Sequence, residues 1–365
     1  MSSAIRNQYN PDYVSPPGET LLEILEERNM AQAELAERTG RPRKTISEII
    51  NGKAAITSDT ALQLERVLGI PAHFWNQREQ NYQDFLARQR EQDRLAKQVE
   101  WLECFPVKAM AKLGWIESSK DKVEQLQILL NFFAVASPQQ WANYWENRPV
   151  AYRKSVAFEG DDAAITAWLR RGEIEAEQIS CSNYSAAKFK KALEQIRALT
   201  VEPPEVFQPQ LVRLCAETGV VVRFIPGLPK TRVSGVTRWL NANKALIQLS
   251  LRYGSDDHLW FTFFHESKHV LQEKKDEIFL EGQPGYDPNH PMEQEANQFA
   301  ANFLIPEAAF SRFLKANTER FTKLAIAQFA AEIGIAPGIV VGRLQHDDCL
   351  APNYCNELKR RFEWA

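Results

Sequence analysis

At 365 residues, with 44% hydrophobic and 25% charged side chains, the chain is too long for one ordinary core and reads as a soluble globular protein of two or three domains. No apolar run approaches the roughly 18 residues that a membrane helix needs, and the opening MSSAIRNQYNPDYVSPPGE lacks the apolar core and cleavage signature of a secretory signal, so the expected location is cytoplasmic. A net charge of -3 leaves room for nucleic-acid binding only through a local basic face, and five scattered cysteines without a CxxC pair exclude a disulfide framework and a cysteine zinc cluster.

PGETLLEILEERNM (17–30) puts Leu21, Leu22, Leu25 and Met30 near helical spacing, with Pro17 suited to a first turn, and predicts a first helix. In AQAELAERTGRPRKTISEIINGKAAI, Ala36, Gly40 and Ile46 have the spacing of a helix-turn-helix: a small residue at the crossing, glycine at the turn and a branched anchor on the second helix. Gln32 opens the first of these helices, Asn51-Gly52 ends the second, and Thr57, Ser58 or Asp59 caps a following helix. The second helix, 42–50, carries Arg43, Lys44, Thr45, Ser47 and Glu48 on its outer side, with Arg41 before it and Lys53 after it. Those side chains, with Gln32, are the expected contacts to phosphates and base edges in a major groove.

The stretch SPPGETLLEILEERNMAQAELAERTGRPRKTISEIINGKAAITSDTALQLERVLGIPAHFW resembles the lambda-repressor-like, XRE-type helix-turn-helix family, and within it the HigA-type antitoxin branch. The PGE start, the LAERTG turn, the ING end and the LGIPAHFW exit carry the resemblance, which covers about residues 10–85. It implies a homodimer on a palindromic double-stranded DNA operator, with a toxin as a possible protein partner.

From Asn81 to about Ala111 a charged helical run is expected to connect this segment to the next, with Pro106 ending it. Residues 112–200 read as further helices whose tryptophans (Trp115, Trp141, Trp145, Trp168) are core rather than ligand pocket. EPPEV (202–206) is the expected boundary, because paired prolines exclude helix and stiffen a linker.

Beyond it LVRLCAETG reads as a helix, and VVVRFIPG, VSGVTRWL and ALIQLSLR as strands of a small sheet. HLWFTFFHESKHVLQE reads as a long helix on which His265 and His269, four apart, present two imidazoles to one metal beside Glu266. A catalytic zinc also needs a third ligand and an open position. MEQEANQFAANFLIP offers Glu293 or Glu295, which lie about 160° apart around a helix, so only one serves. Small Ala296, Ala300 and Ala301 would let this helix approach the first.

HESKH followed by EQEANQFAANFLIP is similar to the ImmA/IrrE family of zinc metallopeptidase domains over about residues 206–310. Carried over by position, the resemblance implies Zn2+ held by His265, His269 and Glu293, with Glu266 as catalytic acid/base. Lys268 stands where the family has glycine or another small residue, and LIP replaces LMP. Arg238, His258, Tyr286 and His346 are candidates for an oxyanion stabiliser, each read first as structural.

Near the C-terminus, Ala330, Gly334 and Val340 repeat the spacing of Ala36, Gly40 and Ile46, but PGIVVGRLQ is dominated by the apolar Ile339, Val340 and Val341 and lacks the run of polar donors of the first turn, which predicts a packing module. The expected fold is therefore mainly α with a small β-sheet (α+β): a helix-turn-helix DNA-binding bundle (1–84), a helical middle (85–205), a zincin-like metallopeptidase domain (206–310) and a C-terminal helical module (311–365). The expected function is an antitoxin-like transcriptional repressor whose peptidase domain cleaves a repressor or partner protein under stress. The alternative is a non-proteolytic antitoxin or repressor whose metal domain only recognises a toxin or signal.

Overall fold

The computed structural model describes residues 13–146, 160–273, 279–280, 290–317 and 320–364. Its packing divides the chain into two compact units, Met1–Val99 and Glu100–Ala365.

The first unit is built from α1 (Pro17–Glu27), α2 (Gln32–Thr39), α3 (Arg43–Ile50), α4 (Ser58–Leu68) and α5 (Ala72–Ala96). Proline in the first turn of α1 costs no hydrogen bond, because that N–H has no partner within a helix. α2 stops at Gly40, whose φ of 68° is left-handed, and the chain turns there with Arg41 N–H donating to Ala36 O at 3.0 Å. The Thr57 hydroxyl caps α4 by accepting from Thr60 N–H. Leu21, Leu25, Leu35, Ile46, Ile49, Leu64 and Trp75 form one core, with Ala36 buried at the α2–α3 crossing. The apolar positions of these short amphipathic helices all turn to that core, which is why helices too short to be stable alone persist here.

α5 starts nine residues before the predicted connecting run and ends at Ala96, ten residues before Pro106. A 3₁₀ turn (Val99–Cys104) follows, and Pro106 precedes the next helix instead of ending the last. A proline ring obstructs the turn before it and leaves the turn after it free.

The second unit comprises α6 (Val107–Lys112), α7 (Lys122–Phe133), α8 (Pro138–Glu146), α9 (Gly160–Glu177), α10 (Ala186–Ala198), α11 (Pro204–Ala216), β1 (Val220–Phe224), β2 (Gly235–Asn241), β3 (Lys244–Leu249), α12 (Asp256–Gln272), β4 (Phe279–Leu280), α13 (Pro291–Leu304), α14 (Glu307–Ala316), α15 (Lys323–Ile333) and α16 (Pro337–His346). The paired prolines expected to stiffen a linker open α11 instead, with Pro203 as N-cap and Pro204 in the first turn. One core runs across that point, joining Phe189 and Ile196 of α10 to Phe207 and Leu211 of α11.

The sheet has the order β1-β3-β2-β4, with β1 parallel to β3 and β2 antiparallel to both β3 and β4. Alternation along each strand sorts its side chains onto two faces. Val220, Val222, Ile247 and Leu249 join Phe263, Phe264 and Val270 of α12 on one face. Val221 and Leu246 meet Ala176 of α9 on the other, where Val236 packs with Trp168. The same period governs β2: Thr237 donates its hydroxyl to Glu266 O of α12, whereas Arg238 reaches the opposite way to Glu173 and Leu169 O of α9. Trp115, Trp141, Trp145 and Trp168 are all buried in one aromatic cluster, the core role the sequence predicted.

Arg197 of α10 fastens the helices behind the site, donating to Phe303 O and Leu304 O at the end of α13 and to Ile333 O at the end of α15. Burial lowers its pKa from the usual guanidinium value. The chain is thus mainly α with a small mixed sheet, as predicted, and no single described helix is long and apolar enough to cross a membrane.

Candidate metal centre and nucleic-acid interface

α12 lies on the sheet with His265, Glu266 and His269 all between 1% and 2% exposed. Phe263, Phe264 and Val270 anchor it in the core, which fixes the rotation of the helix and so the direction of both imidazoles. α13 runs beside it, with Ala296 and Ala300 fully buried, and supplies Glu293 from its first turn. An anionic side chain is favoured there by the unpaired N–H groups of the helix start.

The nitrogen Nε2 of His265 lies 3.0 Å from Nε2 of His269 and 3.2 Å from Glu293 Oε2, and His269 Nε2 lies 3.3 Å from Glu293 Oε1. Three ligand atoms, all buried, converge within 4.8 Å of one another. Burial is the largest influence on Glu293 and raises its pKa, but the hydrogen bonds and charges of His265 and His269 together outweigh it and hold the carboxyl well below the usual carboxylate range.

The donor set fits zinc. Ligands about 2.0–2.1 Å from a tetrahedral zinc stand roughly 3.3–3.4 Å apart, close to the spacings found here. Each ring also has its other nitrogen engaged: His265 Nδ1 meets Asn297 Oδ1 at 2.9 Å and His269 Nδ1 meets Gln272 Oε1 at 2.8 Å. With those amide oxygens accepting, each Nδ1 donates, and in a neutral ring Nε2 is then the nitrogen free to bind a metal, the usual support of a metal-bound histidine.

Glu266 follows His265 on α12 and faces the start of β2. A Cβ at Gly235 would fall 3.1 Å from Glu266 Oε1 and 2.5 Å from Thr262 Cγ2, so only glycine lets the strand come this close to the helix. Glu295, the other acid weighed as a ligand, is exposed and bound instead to Lys268 Nζ at 2.8 Å and Gln272 Nε2 at 2.9 Å. Asn297 shares the Glu293 stripe in the sequence, four residues on, and Gln272 lies three after His269, but neither spacing by itself assigns the amide a role.

The oxyanion candidates stand apart from the cluster where they are described. Arg238 is buried against Glu173, His258 is exposed and stacked on Tyr253 with ring centroids 4.2 Å apart, and the exposed His346 pairs with Asp347. Tyr286 lies outside the described residues.

In the first unit α3 buries Ile46, Ile49 and Ile50 and leaves Arg43 and Lys44 exposed, with Thr45 and Ser47 half-buried. Gln32 at the start of α2 and Lys53 after α3 are exposed as well. Arg41 is half-buried, its Nε donating to Gln63 Oε1 at 2.7 Å, so it braces the turn against α4. Ser47 is engaged at its carbonyl by the Asn51 amide at 2.7 Å. The amphipathic division of α3 therefore presents donors on the side turned from the core, the arrangement a groove-reading helix requires.

Comparison with known proteins matches residues 21–75 to the helix-turn-helix family and residues 215–345 to the IrrE N-terminal-like domain, a peptidase family. The second match extends through α15 and α16. Among solved structures, an addiction module antidote protein of a HigA family from Coxiella burnetii is similar at 29% identity, covering 23% of this chain and 92% of its own, with a TM-score of 0.22. No curated protein matches the chain. The chain joins a segment that matches helix-turn-helix proteins to a segment that matches the IrrE N-terminal-like domain.

Proposed function

We propose that the protein is a DNA-binding transcriptional regulator of antitoxin type whose second unit is a zinc-dependent metallo-endopeptidase acting on a repressor or partner protein. The observation that carries the reading is the buried His265–His269–Glu293 cluster with Glu266 beside it on α12. Zinc bound there would polarise a peptide carbonyl and make water acidic near neutral pH. Glu266 takes the proton of the attacking water on its carboxylate and passes it to the nitrogen of the leaving amine. Asn297 and Gln272 hold the two imidazoles in one tautomer throughout.

On the first unit, Arg43 and Lys44 of α3, with Gln32, Arg41, Thr45, Ser47 and Lys53, meet phosphates and base edges of a palindromic operator. A homodimer supplies the second half-site about one helical turn away. The cytoplasm is the proposed compartment, in keeping with five free thiols. A second reading, a metal-stabilised recognition domain that binds a toxin or signal without cutting, draws on the near-complete burial of Glu266.

The test is elemental analysis of the purified protein with its variants. About one zinc per chain, lost in His265→Ala and Glu293→Ala and kept in Glu266→Gln, supports the metal centre. Cleavage of a co-expressed repressor by wild type, absent with Glu266→Gln, separates peptidase from recognition domain. Wild type without zinc after reconstitution sinks the metal reading.

A further inference from the structure

The two acids at the start of α13 differ in kind: Glu293 is buried in the cluster, and Glu295 is exposed. Yet Glu295 is tied to the metal helix twice. Its Oε2 accepts from Gln272 Nε2 at 2.9 Å, and its Oε1 is held by Lys268 Nζ at 2.8 Å. Lys268 also lies 5.8 Å from the centre of the Phe299 ring, so the ammonium is seated between α12 and α13 rather than loose in solvent.

The consequence falls on Gln272. A carboxamide has one donating and one accepting end, and the two are settled only by its partners. Its nitrogen end has two acceptors, Glu295 Oε2 and Met292 O at 3.1 Å, neither able to donate. The oxygen is therefore the end turned to His269 Nδ1 at 2.8 Å, and Nδ1 must carry the hydrogen. In the neutral ring Nε2, 3.3 Å from Glu293 Oε1, is then the nitrogen with a lone pair for a metal. Free neutral imidazole of histidine prefers the opposite tautomer, with the hydrogen on Nε2, which would block ligation. An amide flipped end for end would impose that wrong form.

We propose, resting on the metal reading, that Glu295, anchored by Lys268, is a positioning residue that sets the tautomer of His269 through the Gln272 amide. Lys268, which stands where the similar family has glycine or another small residue, then supports the centre.

The experiment measures zinc affinity by competition with a chromophoric chelator, and the histidine tautomers of the metal-free full chain by long-range 15N–1H spectra. Expected are a protonated Nδ1 on His269 in wild type and zinc binding weakened at least about tenfold in Gln272→Leu. A smaller loss is expected in Glu295→Ala, and near wild-type affinity in Glu295→Gln, which keeps an acceptor for the amide. Glu295 is exposed, so its variants carry the test where Gln272→Leu does not fold. A His269 protonated on Nε2 in wild type, or equal zinc affinity in wild type and Glu295→Ala, overturns the proposal. Wild type that takes up no zinc overturns the metal reading instead, and the tautomer spectrum then decides the role of Glu295 without metal.

Discussion

α2–α3 and α15–α16 are the same turn put to different ends. In both, a small residue is buried at the crossing (Ala36, Ala330) and a left-handed glycine makes the corner, with φ of 68° at Gly40 and 69° at Gly334. The N–H after each glycine returns 3.0 Å to the carbonyl of the small residue, Arg41 to Ala36 and Ile335 to Ala330. A fully buried branched residue then anchors the second helix, Ile46 or Val340. The difference lies in the outer side. With the corner glycines superposed in sequence, Lys44 and Glu48, exposed and half-buried partners in an i,i+4 pair at 3.7 Å, correspond to Gly338 and Gly342. Those glycines face α12: a Cβ at 338 would lie 2.4 Å from Asp256 Oδ1, and one at 342 would lie 2.6 Å from Asp257 Oδ2. One helix keeps its outer face for a partner, and the other gives it up so that the helix bearing HESKH can come close. Corner geometry alone therefore does not make a DNA-reading helix; the side chains opposite the anchor decide.

Exchanging those two positions gives the largest expected effect. Gly338→Lys or Gly342→Glu drives a long charged side chain onto buried carboxylates, and should destabilise the second unit by more than about 3 kcal/mol. The milder Gly342→Ala is the sharper check. At an open helix site that change stabilises by roughly 1 kcal/mol, whereas the contact with Asp257 predicts a loss. Urea denaturation followed by tryptophan fluorescence reads either, and a stabilised Gly342→Ala would show that α16 and α12 are not in contact as described.

The carboxylates themselves supply a pH-dependent test. Asp256 is completely buried, and burial pushes its pKa up to about 6, the charge of Asp257 adding to this while backbone hydrogen bonds from Arg360 and Asp257 and the charge of Arg360 oppose it. Beside it, Lys359 Nζ binds Asp257 Oδ2 at 2.7 Å. With an unfolded value near 3.9, the folded chain holds the Asp256 proton more tightly, so folded protein binds more protons between about pH 4 and pH 6. Stability from this group is therefore present at the acid end and lost as pH rises through 6, by about 3 kcal/mol as an upper figure. Asp256→Asn should leave stability near pH 4 almost unchanged and raise it at pH 7.5. Equal stability differences at the two pH values would assign Asp256 an ordinary pKa.

Most of this frame was legible in the residues. The Ala-Gly-branched spacing located both turns, apolar runs rich in Val and Ile such as VVVRF and ALIQL gave the strands, and HESKH with EQEAN brought His265, His269, Glu266 and Glu293 to neighbouring places on paired helices. What stayed hidden depends on contacts between distant segments. EPPEV reads as a linker by local rules, because nothing local reveals that α11 is needed to complete a core with α10 and the sheet. Gln272 and Asn297 are ordinary polar residues on helices until the imidazoles that they orient are placed beside them. The ion pair of Lys268 was hidden for the same reason, since its partner Glu295 lies on another helix.

The smallest expected effect is the reverse exchange in the first unit. Lys44→Gly replaces a good helix former in an exposed turn of α3 and removes one side of the pair with Glu48. Propensity accounts for about 1 kcal/mol, and an exposed i,i+4 pair adds at most about 0.5 kcal/mol and fades with salt. No core atom moves, because Ile46, Ile49 and Ile50 alone bury the inner side of α3. The two glycine exchanges thus both destabilise but differ in size: adding a side chain to α16 should cost at least about twice what removing one from α3 does. Binding responds the other way, since Lys44→Gly takes a phosphate donor from the exposed face and should reduce the salt dependence of DNA affinity by about one counterion. Denaturation and salt-titrated binding of the same Lys44→Gly protein separate the two consequences. A loss above about 3 kcal/mol with unchanged salt dependence would make α3 a packing helix like α16, and the contrast between the two turns would disappear.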